Sequence, residues 1–203
     1  MTQAQNVLDA IGLVQRFFAI VLALALGEAF KQFVADKAVK PEERVLHWDQ
    51  IWALLSFLLL IFPFYQGMSR YLFQNYTDLP TMRQPYSRYL ASDGVIFTLE
   101  AALFFIMART LPVGQWRRFY TAVLILLLSD SVWGLASASL KNSPIEIWMI
   151  LNAVFGGLLL IMIGIFWRLP RYYTPAIIGL VLILIRTVLD YYYSWTFYFP
   201  SYP

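Results

Sequence analysis

The segments RFFAIVLALALGE (residues 16–28) and RFYTAVLILLLSD (residues 118–130) each run from an arginine through an unbroken apolar stretch to an acid. Arg16/Arg118, Phe17/Phe119, Val21/Val123, Leu22/Leu124, Leu24/Leu126 and Leu26/Leu128 are identical, while Phe18/Tyr120 and Glu28/Asp130 keep their chemistry. Two further echoes follow in the same order. IWALLS (51–56) matches IWMILN (147–152), with Asp49 and Glu146 just before, and Arg88-Tyr89 matches Arg171-Tyr172. Three ordered echoes predict an internal duplication of three segments.

Composition identifies the segments. With 60% hydrophobic and 13% charged residues and a mean hydropathy of +0.63, the chain has too little polar surface to cover a soluble globule. A bilayer core of about 30 Å takes about 20 helical residues to cross. Six apolar runs meet that length: 12–34, 48–73, 92–110, 117–139, 145–168 and 173–195. Their continuous apolarity favours helices over the alternating strands of a barrel. The expected fold is therefore an all-α polytopic membrane protein with an inverted 3+3 repeat, residues 1–110 forming the first half and 111–203 the second. An odd number of spans per repeat sets the halves in opposite orientation. Ala23-Leu24-Ala25 resembles a leader cleavage site, but Met1 to Leu13 carries Asp9 and no basic residue, so the first run is read as a span.

Loop charges predict the orientation. Lys31, Lys37, Lys40, Arg44, Arg109, Arg117, Arg118, Arg168 and Arg171 belong to the first, third and fifth loops, against Arg70, Arg83, Arg88 and Lys141 opposite. This places the odd loops in the cytoplasm and both termini outside a plasma (inner) membrane. The stretch 73–91, rich in turn formers such as Asp78, Pro80 and Pro85, reads as a loop able to cap the outer face. The aromatic tail 191–199 reads as an interfacial belt, with a cage of stacked rings as the sharper alternative.

Several chemistries have no carrier. The chain has no cysteine and one histidine, His47, and no HExxH, GxSxG or phosphate-cradling glycine loop. No enzyme activity, metal or cofactor is expected, and a pI near 9.1 reflects loop charge rather than nucleic-acid binding. The expected partners are the bilayer and a second copy or a larger membrane complex.

Polar residues inside the spans are the candidate site, since a charge at mid-bilayer costs about 2.5–3.5 kcal/mol and is normally turned inward. Glu28 and Asp130, equivalent in the repeat, are expected to flank its axis as a proton- or cation-binding pair. Glu100 lacks a partner at helical spacing, whereas Arg186 and Asp190 are four apart and share a face. Ser56 and Asn152 are equivalent polar positions that line a pathway or bond between helices. Gln66 follows Pro63, a proline that bends its helix and frees a carbonyl. Gly156, Gly157 and Gly164 are expected to permit close helix contact.

Three functions compete. A small transporter or channel would move a proton, cation or small solute past Glu28, Glu100, Asp130 and Arg186. A non-catalytic assembly subunit would use the same residues to hold helices together. A lipid-modifying enzyme would bring Asp49, Arg70 and Asp93 together at a membrane surface.

Overall fold

Hydrocarbon offers no partner to a backbone N–H or C=O, so a chain of this apolarity satisfies them internally as helices. A computed structural model describes residues 3–38, 47–77, 86–112, 114–137, 144–168 and 173–200. The helices are α1 (Gln3–Ala38), α2 (Trp48–Thr77), α3 (Tyr86–Arg109), α4 (Trp116–Ser137), α5 (Ile145–Phe166), α6 (Tyr173–Tyr193) and the short α7 (Trp195–Tyr198). Six of them are long and apolar enough to cross a membrane. The chain is an all-α multi-pass membrane protein.

Helix ends depart from the apolar runs where packing continues past them. α1 starts well before residue 12 because Val7 and Ile11 are buried in the core, and Gln5 donates to Asp9 across one turn at 3.1 Å. α2 runs on to Thr77 because Tyr71, Leu72 and Tyr76 are fully buried. The expected capping loop at 73–91 is thereby corrected: both of its ends are helical. Residues 78–85, with Asp78, Pro80, Arg83 and Pro85, lie outside the described residues, as do Lys40, Arg44, Lys141 and the Arg171-Tyr172 echo.

The six long helices form a ring in the order α1, α3, α4, α5, α6, α2, with α2 also reaching α4 across the middle. Large side chains such as Leu13, Leu24, Phe62, Leu135 and Ile165 point outward, as contact with lipid requires. This order does not follow an exchange of halves. Such an exchange turns the extensive α1–α3 contact into the slight α4–α6 contact, and turns α3–α4 into an α6–α1 contact that is absent among the described residues. The matched residues differ too, since Phe17 is 48% exposed and Phe119 is fully buried. Any helices that fill a bilayer with leucine, valine and phenylalanine resemble one another, and the likeness of 16–28 and 118–130 needs no more than that.

Proline and glycine act at single contacts. Pro63 lies inside α2 and leaves the Leu59 carbonyl without its usual donor. Thr187 of α6 supplies one, its hydroxyl donating to that carbonyl at 3.2 Å. Gly179 of α6 lies against the Tyr120 ring so closely that a Cβ there has no room. Tyr120 is held in place by donating to the Ala176 carbonyl at 2.8 Å. Gly156 meets Leu124 and Leu128 of α4, but Gly157 and Gly164 meet nothing within 4 Å, so the expected glycine contact in α5 reduces to Gly156. Gly179→Ala is therefore expected to destabilise the protein by about 1–3 kcal/mol through overpacking. Gly157→Ala should instead be neutral or stabilising by up to about 1 kcal/mol. Melting midpoints of the two purified variants check the contrast.

A buried cluster of acids around one arginine

Three helices bring one polar side chain each to a common depth. Asp130 precedes the end of α4 by seven residues, Asn152 follows the start of α5 by seven, and Arg186 precedes the end of α6 by seven. At 1.5 Å per residue each lies about 10 Å inside the end of the bundle that carries the termini. They form one chain. Arg186 donates from Nε to Asn152 Oδ1 at 2.9 Å, and Asn152 Nδ2 donates to Asp130 Oδ2. The guanidinium also donates from Nη1 to Asp190 Oδ2 at 2.9 Å and lies over the Phe64 ring, 5.2 Å from its centroid.

Asp190 is held from the other side as well. Trp148 Nε1 and the Tyr198 hydroxyl both donate to its Oδ1, at 2.9 and 3.0 Å. The tail thus divides: Tyr192, Tyr193, Trp195 and Phe199 are exposed as an interfacial belt requires, while Phe197 and Tyr198 turn inward on α7. Trp148 packs edge-on to Phe197, with ring centroids 5.1 Å apart. α7 therefore closes the cluster at the terminal end of the bundle.

α3 contributes two acids on one face, Asp93 and Glu100, two turns apart. Asp93 accepts from the Tyr76 hydroxyl at 2.6 Å and from Trp133 Nε1 at 3.0 Å, so both its oxygens have donors. Glu100 sits nearer the middle of the helix and differs. It is 2% exposed, within hydrogen-bonding reach of Asp130, and its Oε1 has no partner among the described residues. A cavity of about 30 Å³ lies here, lined by Glu100, Asp130, Arg186, Asp190 and the rings of Phe64, Tyr71, Phe97 and Trp133. That volume accommodates a single water-sized species. Farther along the bundle the large side chains of Phe57, Phe104 and Met107 are fully buried.

The expected site residues separate into a cluster and outliers. Asp130, Asn152, Arg186, Asp190 and Glu100 come together. Glu28 does not: it accepts from Gln32 at 2.6 Å and Lys31 at 3.4 Å on its own helix, and it does not line the acid cavity. Glu28 is thus not placed beside Asp130, and the acid that shares a cavity with Asp130 is Glu100. Ser56 belongs to a separate contact, donating to the Trp52 carbonyl at 2.9 Å and lying 3.0 Å from the Tyr120 hydroxyl, where it joins α2 to α4. Gln66 faces a lateral groove and accepts from Tyr191 at 3.1 Å. Asp49 accepts from the Gly114 N–H at 3.0 Å at one end of α2. Twenty-one residues separate it from Arg70 on that helix, about 31 Å, so Asp49, Arg70 and Asp93 form no common site.

Trp133 and Tyr76 carried no signal in the sequence, and Trp148 and Tyr198 were legible only as part of an echo and of an aromatic tail. A buried indole or phenol needs an acceptor, and the acids were visible, but not which ring reached which acid. No family model, curated protein or solved structure matches this chain.

Proposed function

We propose that this protein is a small transporter or channel that moves protons, and that Glu100 and Asp130 form its proton-holding pair. The observation that carries the reading is the uncommitted Glu100 Oε1 beside a water-sized cavity, at hydrogen-bonding reach of a second buried carboxyl. Two carboxyl groups that close cannot both be ionised, so one proton is shared between them. The neighbouring acids are otherwise supplied. Among the described residues Asp93 has two neutral donors and Asp190 has two together with Arg186, while Asp130 has the Asn152 amide. Arg186 offsets one negative charge of the cluster, which leaves the Glu100–Asp130 pair as the place where a proton is needed.

A proton fits better than a metal cation. Among the described residues no three acidic or histidine side chains converge in a way that could hold a metal ion, and most of the residues lining the cavity are apolar or aromatic, whereas hard cations take six or more oxygen ligands. Proton flux is measured with a pH-sensitive dye inside liposomes carrying the purified protein, after a step in external pH. Faster equilibration than in protein-free liposomes supports the reading. Equal rates favour the alternative of a membrane assembly subunit, in which the same bonds only hold helices together.

The orientation follows from loop charge: the odd loops face the cytoplasm and both termini lie outside. Single cysteines replacing Thr2, Lys40 or Tyr202 in this cysteine-free chain test it with a membrane-impermeant thiol reagent on intact cells. Labelling is expected at positions 2 and 202; labelling at position 40 alone reverses the assignment.

A further inference from the structure

Consecutive residues wall two different cavities at the end of the bundle that carries α7. Arg70 and Phe197 line an outer cavity of about 320 Å³, together with Gln74 and Thr196. Their chain neighbours Tyr71 and Tyr198 line the inner acid cavity of about 30 Å³. α7 thus stands between a space large enough for several waters and one with room for a single water-sized species.

Four residues make one helical turn, too short to hold its place without tertiary contacts. Two hydrogen bonds latch it: the Tyr198 hydroxyl donates to Asp190 at 3.0 Å, and Arg70 Nε donates to the Phe197 carbonyl at 3.1 Å. Trp148 stacks on Tyr198, with ring centroids 6.1 Å apart. The phenol fills the space that Gly67 of α2 leaves by carrying no side chain, since a Cβ there would stand 3.5 Å from the Tyr198 hydroxyl. The start of the turn is its weak point. Ser194 precedes it without a side-chain cap bond, and its Oγ is buried with no partner among the described residues. A buried hydroxyl without a partner disfavours the seated position, and it gains water when α7 lifts.

We propose that α7 is a movable plug: seated, it closes the acid cavity at the terminal end, and lifted, it joins the two cavities and admits water to Glu100 and Asp130. The role rests on reading that pair as the proton-holding site, because a carboxyl exchanges its proton with the medium through hydrogen-bonded water. Trp195 and Phe199 are exposed, with ring centroids 4.5 Å apart. They form the interfacial face that keeps α7 at the membrane surface in either position.

The test reads access separately from flux. Single cysteines are introduced into this cysteine-free chain by Met68→Cys, on the inner cavity, and Gln74→Cys, on the outer one. Their rates of reaction with a small charged thiol reagent are followed on the purified full chain in detergent. Gln74→Cys should react readily and Met68→Cys slowly. Tyr198→Phe keeps the packed ring and removes the bond to Asp190. It should speed Met68→Cys by about tenfold, the effect of one hydrogen bond to a charged group on an opening equilibrium, and leave Gln74→Cys unchanged. The plug is overturned if Met68→Cys reacts as fast as Gln74→Cys in the otherwise unaltered chain, if Tyr198→Phe leaves its rate unchanged, or if both cysteines speed up alike. Proton flux in liposomes decides the other reading: faster labelling of Met68→Cys without any flux retains the plug and overturns proton movement, whereas flux with unchanged labelling overturns the plug alone.

Discussion

Arg186→Met is expected to lower stability by about 3–5 kcal/mol, the usual result of removing one partner of a buried ion pair. The size follows from what remains. Asp190, 1% exposed, keeps Trp148 and Tyr198 as donors but loses the cation paired with it, and Asn152 loses the donor that orients it toward Asp130. For a domain of this length such a loss lowers the melting midpoint by roughly 6–20 °C. The double variant Arg186→Met/Asp190→Asn removes both charges of the pair, and it should recover a large part of the loss because a neutral amide still accepts from the indole and the phenol. Equal melting of Arg186→Met and wild type would show that Arg186 is not the electrostatic centre of the cluster.

Glu100→Gln and Asp130→Asn are expected to separate activity from stability in the opposite sense. Each keeps the shape of its side chain and removes the shared proton. Proton flux should fall by about a hundredfold, the low end of what a positioned proton-transfer group contributes. The melting midpoint of Glu100→Gln should stay the same or rise, since a buried carboxyl with an unpartnered oxygen contributes little to stability, and Asp130→Asn keeps an oxygen able to accept from the Asn152 amide. A packing role reverses this pattern, with lower midpoints and no change in flux. Liposome flux and detergent melting on the same preparations distinguish the two.

The membrane fold was legible because a bilayer demands about 20 continuous apolar residues per span, and this chain repeats them six times. Neighbours in the ring were not legible, since every lipid-facing helix carries the same leucine and valine code whatever it packs against. Glu28 and Asp130 show the consequence: both stand twelve residues after an arginine, and hydropathy treats them alike. A closer local reading distinguishes them, because Lys31 and Gln32 stand one turn beyond Glu28 and satisfy it on its own helix. Glu100 has no partner at that spacing, and this marked it as an acid whose partner lay on another helix. The Arg186–Asp190 pair was legible for the same local reason, four residues apart on one face. α7 was hidden because an aromatic tail suits an interface equally well, and only the burial of Phe197 and Tyr198 against Trp148 draws it inward.

The shared proton itself is the central claim, and infrared difference spectroscopy of the purified protein across a pH titration observes it directly. The account predicts a protonated-carboxyl C=O band that persists where ordinary acids are ionised, shifts in heavy water, and disappears in both Glu100→Gln and Asp130→Asn. A spectrum without such a band, or one whose band survives both substitutions, contradicts it.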